Sequence, residues 1–180
     1  MTAHRLPGDP SPEEEVARMI RVDHAGEYGA VRIYEGQLAV LGHTASGAVI
    51  REMADQERQH LERFQKLVQE RHVRPTALSP LWHVAGFALG AASALLGARA
   101  AMACTVAVEE VIDEHYRQQA ERLGTEEGAL RATIEEFRDD ELEHRDTGLA
   151  HGATEAPLHD LLTAAVKTGS RLAIWLSTRL

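Results

Sequence analysis

Two short motifs in this sequence place a carboxylate and an imidazole three residues apart, Glu57-x-x-His60 and Glu141-x-x-His144. Residues three apart are neighbours on one face of a helix, so each pair can present both side chains to a single centre. Both pairs fall in register with apolar positions at helical spacing, which predicts that they face the interior. A buried ionised carboxylate is too costly to leave unpaired, and a cation bound by Glu and His is an economical partner.

Two further glutamates, Glu27 and Glu109, stand on apolar stripes of helical period. The order of one Glu followed by Glu-x-x-His therefore occurs twice, and the second copy lies 82 to 84 residues after the first. One such motif is weak evidence, because a chain of this length contains about one by chance. The repetition indicates an internal duplication. The predicted metal ligands are Glu27, Glu57, His60, Glu109, Glu141 and His144.

Four helices must position these six side chains. Ser11-Pro12 predicts the start of the first, with Ser as the N-cap and Pro at the first helical position. Residues 42–46 predict its end and the start of the second helix, which must stop before Pro75. A third ligand-bearing helix begins near Arg99, and residues 123–127 separate it from the fourth. Apolar periodicity of this kind predicts an all-α protein.

The turns test whether the ligands can meet. In an antiparallel helix pair, residues equally far from the turn lie level with each other. The midpoint of Glu27 and Glu57 is Gly42, in the first predicted turn, and the midpoint of Glu109 and Glu141 falls inside the second. Two such hairpins packed face to face would bring four carboxylates and two imidazoles into one core. This inventory is that of ferritin-like bundles with two metal ions.

The ligand set also limits the metal. Four carboxylates carry the charge that two divalent cations balance, which suits a buried site. Carboxylate and imidazole without thiolate favour iron or manganese over Cu(I) or an iron–sulfur cluster, and zinc stays open. Asp23 and Asp113 lie one turn from Glu27 and Glu109, and we expect them to orient the histidine ligands.

Two apolar segments lie outside the four ligand-bearing helices. Residues 81–97 carry no charge, and Gly86, Gly90 and Ala94 repeat every four residues, which predicts close packing against another helix. The second segment, residues 157–180, ends in a stretch containing Trp and Arg. Each segment fits either an interior helix or a helix lying in a membrane surface, and both interpretations stay open. Neither segment is predicted to span a bilayer.

Composition restricts the function classes. The 180 residues fit one domain, predicted to cover residues 12–180 after a disordered arm at residues 1–11. The formal net charge of −9 argues against nucleic-acid binding. The single Cys104 excludes an internal disulfide and is expected in the core.

Four motifs resemble the demethoxyubiquinone hydroxylase family of ubiquinone biosynthesis, and the resemblance runs from about Ala17 to the C-terminus. The motifs are His24-Ala25-Gly26-Glu27-Tyr28-Gly29-Ala30, Glu57-Arg58-Gln59-His60, Ala107-Val108-Glu109-Glu110 with His115-Tyr116, and Asp140-Glu141-Leu142-Glu143-His144. The resemblance implies a ferritin-like four-helix bundle with an additional apolar helix and a C-terminal helix. It also implies a centre of two iron ions held by the six predicted ligands.

The same resemblance implies O2-dependent hydroxylation of the ring of a polyprenylated methoxy-benzoquinol, with His115 and Tyr116 near substrate or electron entry. It implies peripheral association with a membrane surface, and it leaves open a homo-oligomer or a protein partner from ubiquinone biosynthesis. The N-terminal arm is short for a mitochondrial transit peptide, so we expect a bacterial protein on the cytoplasmic side of the inner membrane.

Two other functions are compatible with parts of the pattern. A ferritin-like ferroxidase or iron-storage bundle needs the same ligands, but it has no need for an uncharged segment or a Trp-containing tail. A non-catalytic helical adaptor has no reason to place six ligands level in its core. Particle size would separate the first from a hydroxylase, and metal analysis would separate the second.

Overall fold

The computed structural model describes residues 8–180, so residues 1–7 of the predicted N-terminal arm lie outside the described part. Six α-helices and two short 3-10 turns make up the described chain, and it contains no strand. The all-α prediction is therefore confirmed. The helices are α1 (Pro12–Leu41), α2 (Gly47–Glu70), α3 (Ser79–Leu95), α4 (Ala98–Arg122), α5 (Gly128–Ala150) and α6 (His159–Ser177).

The N-terminus of α1 forms as the sequence predicts. The backbone N–H of Glu14 donates to the Ser11 hydroxyl at 3.1 Å, and the backbone N–H of Ser11 donates to the Glu14 carboxylate at 2.7 Å. This reciprocal pair satisfies two amides that the helix itself leaves without partners. Pro12 stands at the first helical position, where its missing N–H costs nothing.

The bundle consists of two helical hairpins, α1–α2 and α4–α5, each closed by a short turn. The turns fall at residues 42–46 and 123–127, as predicted, so the ligand-bearing helices run antiparallel within each hairpin. Two apolar clusters fill the interior above and below the level of the ligands. One contains Phe64 and Ile134, and the other contains Ile50 and Met102. The polar centre therefore lies between two closely packed apolar clusters along the bundle axis.

Helix α3 packs against α1 through the predicted ridge of small residues. A Cβ atom added at Gly90 would overlap the carbonyl oxygen of Ile33, and one at Gly86 would lie 2.9 Å from the carbonyl oxygen of Gly29. On the α1 side, a Cβ at Gly36 would overlap the backbone of Phe87. Glycine is required at these positions because two backbones approach each other directly.

Helix α6 lies against α4 and returns to the start of α3. The indole N–H of Trp82 donates to the Ser177 hydroxyl at 3.0 Å, and the N–H of Ala77 donates to the carbonyl oxygen of Leu180 at 3.1 Å. Within the described residues, the helices are all too short or too polar to cross a membrane. Buried Cys104 has no solvent contact, as expected of a core residue.

Candidate metal centre

All six predicted ligands are buried in the middle of the bundle, and none is more than 2 % exposed. Glu27 lies on α1, Glu57 and His60 on α2, Glu109 on α4, and Glu141 and His144 on α5. Each ligand thus lies on the buried face of its helix, as the periodicity predicts, although burying a polar side chain costs free energy. The duplication predicted from the sequence appears here as two matching hairpins.

The side chains form two overlapping groups, and the candidate ligand atoms within each group all lie within 4.8 Å of one another. The first group is Glu27, Glu57, His60 and Glu141, and the second is Glu57, Glu109, Glu141 and His144. Glu57 and Glu141 belong to both groups. Each group could therefore hold one ion, and each has one further Glu and one His that the other group lacks.

Orphaned polar atoms show that the centre fits cations. Without an ion, eight buried ligand atoms have no hydrogen-bond partner: Oε2 of Glu27 and Glu109, both carboxylate oxygens of Glu57 and Glu141, and Nδ1 of His60 and His144. A native interior rarely leaves so many acceptors unsatisfied in one place. Each of these atoms is a lone-pair donor suited to a hard or borderline divalent metal. The residues present therefore fit a two-metal centre.

The orientation of each histidine is fixed from outside the centre. The Nε2–H of His60 donates to Asp140 at 3.0 Å, and the Nε2–H of His144 donates to Gln56 at 3.0 Å. The ring of His60 also stacks on Phe137, with 3.9 Å between the ring centroids. These contacts direct both Nδ1 atoms at the carboxylates, since a hydrogen bond at one ring nitrogen selects the tautomer that leaves the other free.

The expectation that Asp23 and Asp113 orient the ligand histidines is wrong. Asp23 accepts hydrogen bonds from His115 at 3.0 Å and from Gln119 at 2.7 Å. Asp113 forms an ion pair with Arg138 at 2.6 Å, near the surface. Both aspartates lie one helical turn from a ligand glutamate in sequence, but their side chains contact other residues.

Two tyrosines donate hydrogen bonds to the carboxylates that are not shared. The Tyr34 hydroxyl donates to Glu109 at 2.9 Å, and the Tyr116 hydroxyl donates to Glu27. Each tyrosine lies seven residues after the glutamate of its own helix, yet it serves the glutamate of the other hairpin. Sequence reasoning missed Tyr34, although the repeated spacing of seven was a signal that could have found it. Gln56 and Asp140 could have been found as the residues directly before Glu57 and Glu141.

Of the two predicted non-ligand site residues, the structure brings Tyr116 into contact with the candidate centre and places His115 beside it. His115 binds Asp23, and its side chain remains 19 % exposed. Asp23 itself is fully buried, and its burial raises the pKa of that carboxyl. The contact from His115 to Asp23 therefore runs from the partly exposed surface to the helical turn that precedes Glu27.

Burial and close contact divide the charge of the metal-free centre unevenly. Burial, reinforced by Glu141, raises the pKa of Glu57 and Glu109 well above the ordinary value. Burial opposes charge on Glu141 as well, but the imidazoles of His144 and His60, 3.5 and 3.4 Å from its carboxylate, lower its pKa to about 2. Burial acts to lower the pKa of both histidines, yet the adjacent glutamate carboxylates raise it to about 12 for His60 and about 10 for His144. In the metal-free protein, bound protons therefore balance the negative charge that bound cations would otherwise balance.

An apolar cavity of about 340 Å³ lies beside the centre, between α1, α3, α4 and α6. Gly26 and Gly29 line it, and a Cβ atom added at either would meet nothing within 4 Å. Val108 and Ile112 line the α4 side. Gly26 and Val108 directly precede the ligands Glu27 and Glu109 in sequence, so the cavity lies along the segments of α1 and α4 that carry these two ligands. An apolar space of this kind suits a flat or greasy ligand.

The family described as "Ubiquinone biosynthesis protein COQ7" matches residues 14–177. A 3-demethoxyubiquinol 3-hydroxylase from Rhodospirillum rubrum is 61 % identical over 176 residues, covering 97 % of this chain and 83 % of the relative. The human mitochondrial NADPH-dependent 3-demethoxyubiquinone 3-hydroxylase is 56 % identical over 169 residues, covering 92 % of this chain and 78 % of the relative. The mitochondrial 5-demethoxyubiquinone hydroxylase of Saccharomyces cerevisiae is 44 % identical, covering 91 % and 77 %.

Proposed function

Because the chain belongs to the COQ7 family of ubiquinone biosynthesis proteins, we propose that it is an O2-dependent monooxygenase. Its substrate is a polyprenylated demethoxy-benzoquinol, and its product carries one further ring hydroxyl. The relatives named above are hydroxylases of demethoxyubiquinol or demethoxyubiquinone. Two iron ions are the proposed cofactor, bound by Glu27, Glu57, His60, Glu109, Glu141 and His144 within a ferritin-like domain spanning residues 12–180.

One observation carries the proposal: eight ligand atoms without hydrogen-bond partners converge at one level of the buried core. Buried polar atoms without partners destabilise a fold unless a bound ion satisfies them. When bound, the two ions would supply the redox and O2-activating chemistry of the reaction. Glu57 and Glu141 would be available to both ions, while Glu27 with His60 and Glu109 with His144 would each serve one.

The protein holds this ligand set in place before an ion arrives. Asp140 and Gln56 accept hydrogen bonds from Nε2 of the two histidines, so that Nδ1 of each ring is directed at the carboxylates. Tyr34 and Tyr116 fix the terminal glutamates by hydrogen bonds. Ligand side chains that are already held in position lose little conformational freedom when an ion binds, so less binding free energy is spent on ordering them.

The cavity beside the centre is the proposed site for the quinol ring. Its lining is almost wholly apolar, so it excludes water from the reacting carbon. Gly26 and Gly29 leave space directly next to Glu27, where a planar ring can approach the ligands. Helices α3 and α6 form the other walls, through residues such as Leu89 and Ile174. The prenyl tail would leave between these two helices.

His115 and Tyr116 have proposed roles in electron and proton entry. Tyr116 contacts Glu27 directly, and His115 Nε2 lies 3.0 Å from Asp23. The side chain of His115 is 19 % exposed, so it lies between solvent and the buried Asp23. This pair therefore connects the surface to one end of the centre.

Membrane association is proposed from the exposed apolar residues. Of the large apolar side chains that are exposed within residues 8–180, all but Leu149 lie on α3, on α6 or at the ends of these helices. They are Leu81, Val84, Leu95, Leu96, Leu158, Leu161, Leu172, Trp175 and Leu180. Both helices also wall the cavity, so an apolar substrate could pass from lipid to the centre without crossing water. We place the protein on the cytoplasmic side of a bacterial inner membrane, given the similarity to the Rhodospirillum relative. A homo-oligomer or a protein partner would compete with lipid for the same face.

An iron-storage or ferroxidase function is the second candidate, since it would use the same ligands. It gives no role to an apolar cavity next to the centre or to an exposed apolar face on α3 and α6. The relatives reported above are hydroxylases, and they do not favour this alternative.

Anaerobic reconstitution with Fe2+, followed by Mössbauer spectroscopy and an O2-dependent assay on a demethoxy-quinol, tests the proposal. Two ions per chain, a coupled iron signal and a hydroxylated product are expected. Glu141→Ala should abolish the coupled signal because it removes a side chain that belongs to both ligand groups, whereas Glu143→Ala should not because Glu143 is exposed. Iron oxidation without any quinol product would favour the ferroxidase alternative.

A further inference from the structure

The two ends of the candidate centre are related by an internal pseudo-two-fold symmetry. Tyr34 donates to Glu109 as Tyr116 donates to Glu27. Further out, Gln37 donates to Thr105 at 3.4 Å, and the equivalent Gln119 donates to Asp23 at 2.7 Å. The symmetry follows from the duplicated sequence and extends beyond the six ligands.

Two pairs of equivalent positions break the symmetry. In each pair, one position has a carboxylate and the other has a neutral side chain. The acceptor for Nε2 of His60 is the carboxylate of Asp140, but the acceptor for Nε2 of His144 is the amide oxygen of Gln56. One turn before the terminal glutamates, Asp23 precedes Glu27 whereas Thr105 precedes Glu109. Both carboxylates lie on the half of the centre that contains Glu27 and His60, called here the Asp140 half. The other half contains Glu109 and His144 and is called the Gln56 half.

From this asymmetry we infer that the two halves bind divalent cations with unequal affinity and that the Asp140 half fills first. The inference rests on the metal centre proposed above. It adds that Asp140 and Gln56 are positioning residues that set the order of loading.

Coulomb attraction and ligand basicity act in the same direction. An anionic acceptor at Nε2 makes the imidazole a stronger donor at Nδ1 than a neutral amide does, and partners of this kind change metal affinity by about 10–100-fold. The side chain of Asp140 is only 29 % exposed, so solvent screens its charge in part. Asp23 adds a second carboxylate near Glu27, although His115 offsets some of its charge. Asp140 is therefore the larger contribution.

Titration of the metal-free protein with Co2+ tests the inference, with visible absorption and calorimetry as readouts that need no catalysis. The wild type should bind two ions in two steps whose dissociation constants differ at least tenfold. Asp140→Asn should weaken the first step by about 10–100-fold and leave the second nearly unchanged. Gln56→Glu should tighten the second step and bring the two constants together. Glu143→Gln, on the exposed face of α5, is the matched control and should leave both steps unchanged.

Two further variants identify which half fills first. Glu109→Ala removes a ligand of the Gln56 half only, so the tight step should persist with one ion per chain. Glu27→Ala removes a ligand of the Asp140 half only, so the tight step should be lost. Circular dichroism of each variant checks that the helices are retained. Two equal steps in the wild type, or loss of the tight step in Glu109→Ala alone, would overturn the inferred order. Absence of Co2+ binding in the wild type would overturn the metal centre itself, and with it the inference.

Discussion

Tyr34 donates a hydrogen bond across the bundle to Glu109, with 2.9 Å between the tyrosine hydroxyl and Oε1 of the carboxylate. The two residues belong to different halves of the duplicated sequence, and the equivalent Tyr116 donates a hydrogen bond to Glu27 in the same way. This exchange ties the two hairpins together at the level of the candidate centre. It also provides a matched pair of residues whose roles can be separated by experiment.

Tyr34→Phe and Tyr116→Phe should each weaken metal binding by about tenfold, because each removes one hydrogen bond to a carboxylate ligand. The proposed role of Tyr116 in electron entry predicts a second effect. Tyr116→Phe should lower kcat more than Tyr34→Phe does when both variants are saturated with iron. Calorimetric titration and steady-state kinetics measure the two effects. Equal kcat values for the two variants would restrict Tyr116 to holding Glu27.

The metal-free protein should lose stability as pH rises above about 6.5. His60 and His144 have folded-state pKa values raised to about 12 and about 10, so their contribution is complete below the unfolded value of 6.5 and disappears as pH rises through those values. The raised pKa values of Glu57 and Glu109 act in the same direction. Glu141 acts at the other end, because its pKa of about 2 makes a contribution that is lost as pH falls from about 4.5 toward 2.

Thermal unfolding between pH 4 and pH 9, with and without a divalent ion, measures this dependence. In the presence of chelator, Tm should decline from pH 6.5 upward. Addition of Zn2+ should reverse the decline, because bound cations replace the protons and compete better as pH rises. A metal-free Tm that increases between pH 6.5 and pH 9 would contradict the protonation pattern described for the histidines.

Gly29→Ala and Gly90→Ala should change stability in opposite directions, although both lie in helices. Space is open at Gly29, so alanine should stabilise α1 by about 0.5–1 kcal/mol and raise Tm by about 1–4 °C. At Gly90 the added methyl overlaps the carbonyl oxygen of Ile33, so the variant should unfold at a lower temperature than the wild type. Differential scanning calorimetry measures both effects.

A larger side chain at the same open position tests the cavity. Gly29→Leu should raise KM for the quinol because it occupies the proposed ring site, while the number of bound metal ions stays at two. Metal titration and kinetics on one preparation separate these effects. An unchanged KM would place the substrate elsewhere.

Leu161→Glu combined with Trp175→Glu should weaken binding to anionic liposomes at least tenfold, since both residues lie on the exposed apolar face of α6 and neither lines the cavity. Leu149→Glu, on α5, is the control and should have little effect. Deletion of residues 171–180 should also release the protein from lipid, but it removes cavity residues such as Ile174 as well. Flotation gradients measure the binding, and undiminished flotation of the double variant would exclude α6 from the membrane contact.

The metal ligands could be predicted from the sequence because helical periodicity is a local property. Glu57 and His60 stand on the same stripe as their apolar neighbours, so their inward orientation follows from the period of the helix alone. The positions of the turns then placed Glu27 level with Glu57 without any knowledge of tertiary contacts. The same local reasoning predicted the N-cap at Ser11 and the glycine ridge of α3.

The partners around the ligands could not be predicted in this way. Asp140 and Asp23 are both acidic residues close to a ligand in sequence, but only Asp140 reaches a ligand histidine. Which acid does so depends on the rotation of one hairpin against the other, since a hydrogen bond requires two side chains to approach within about 3 Å. The sequence by itself determined which residues face the core and at what height along the bundle. The packing of the two hairpins decided which side chains meet there, and it left the cavity of about 340 Å³ between α1, α3, α4 and α6.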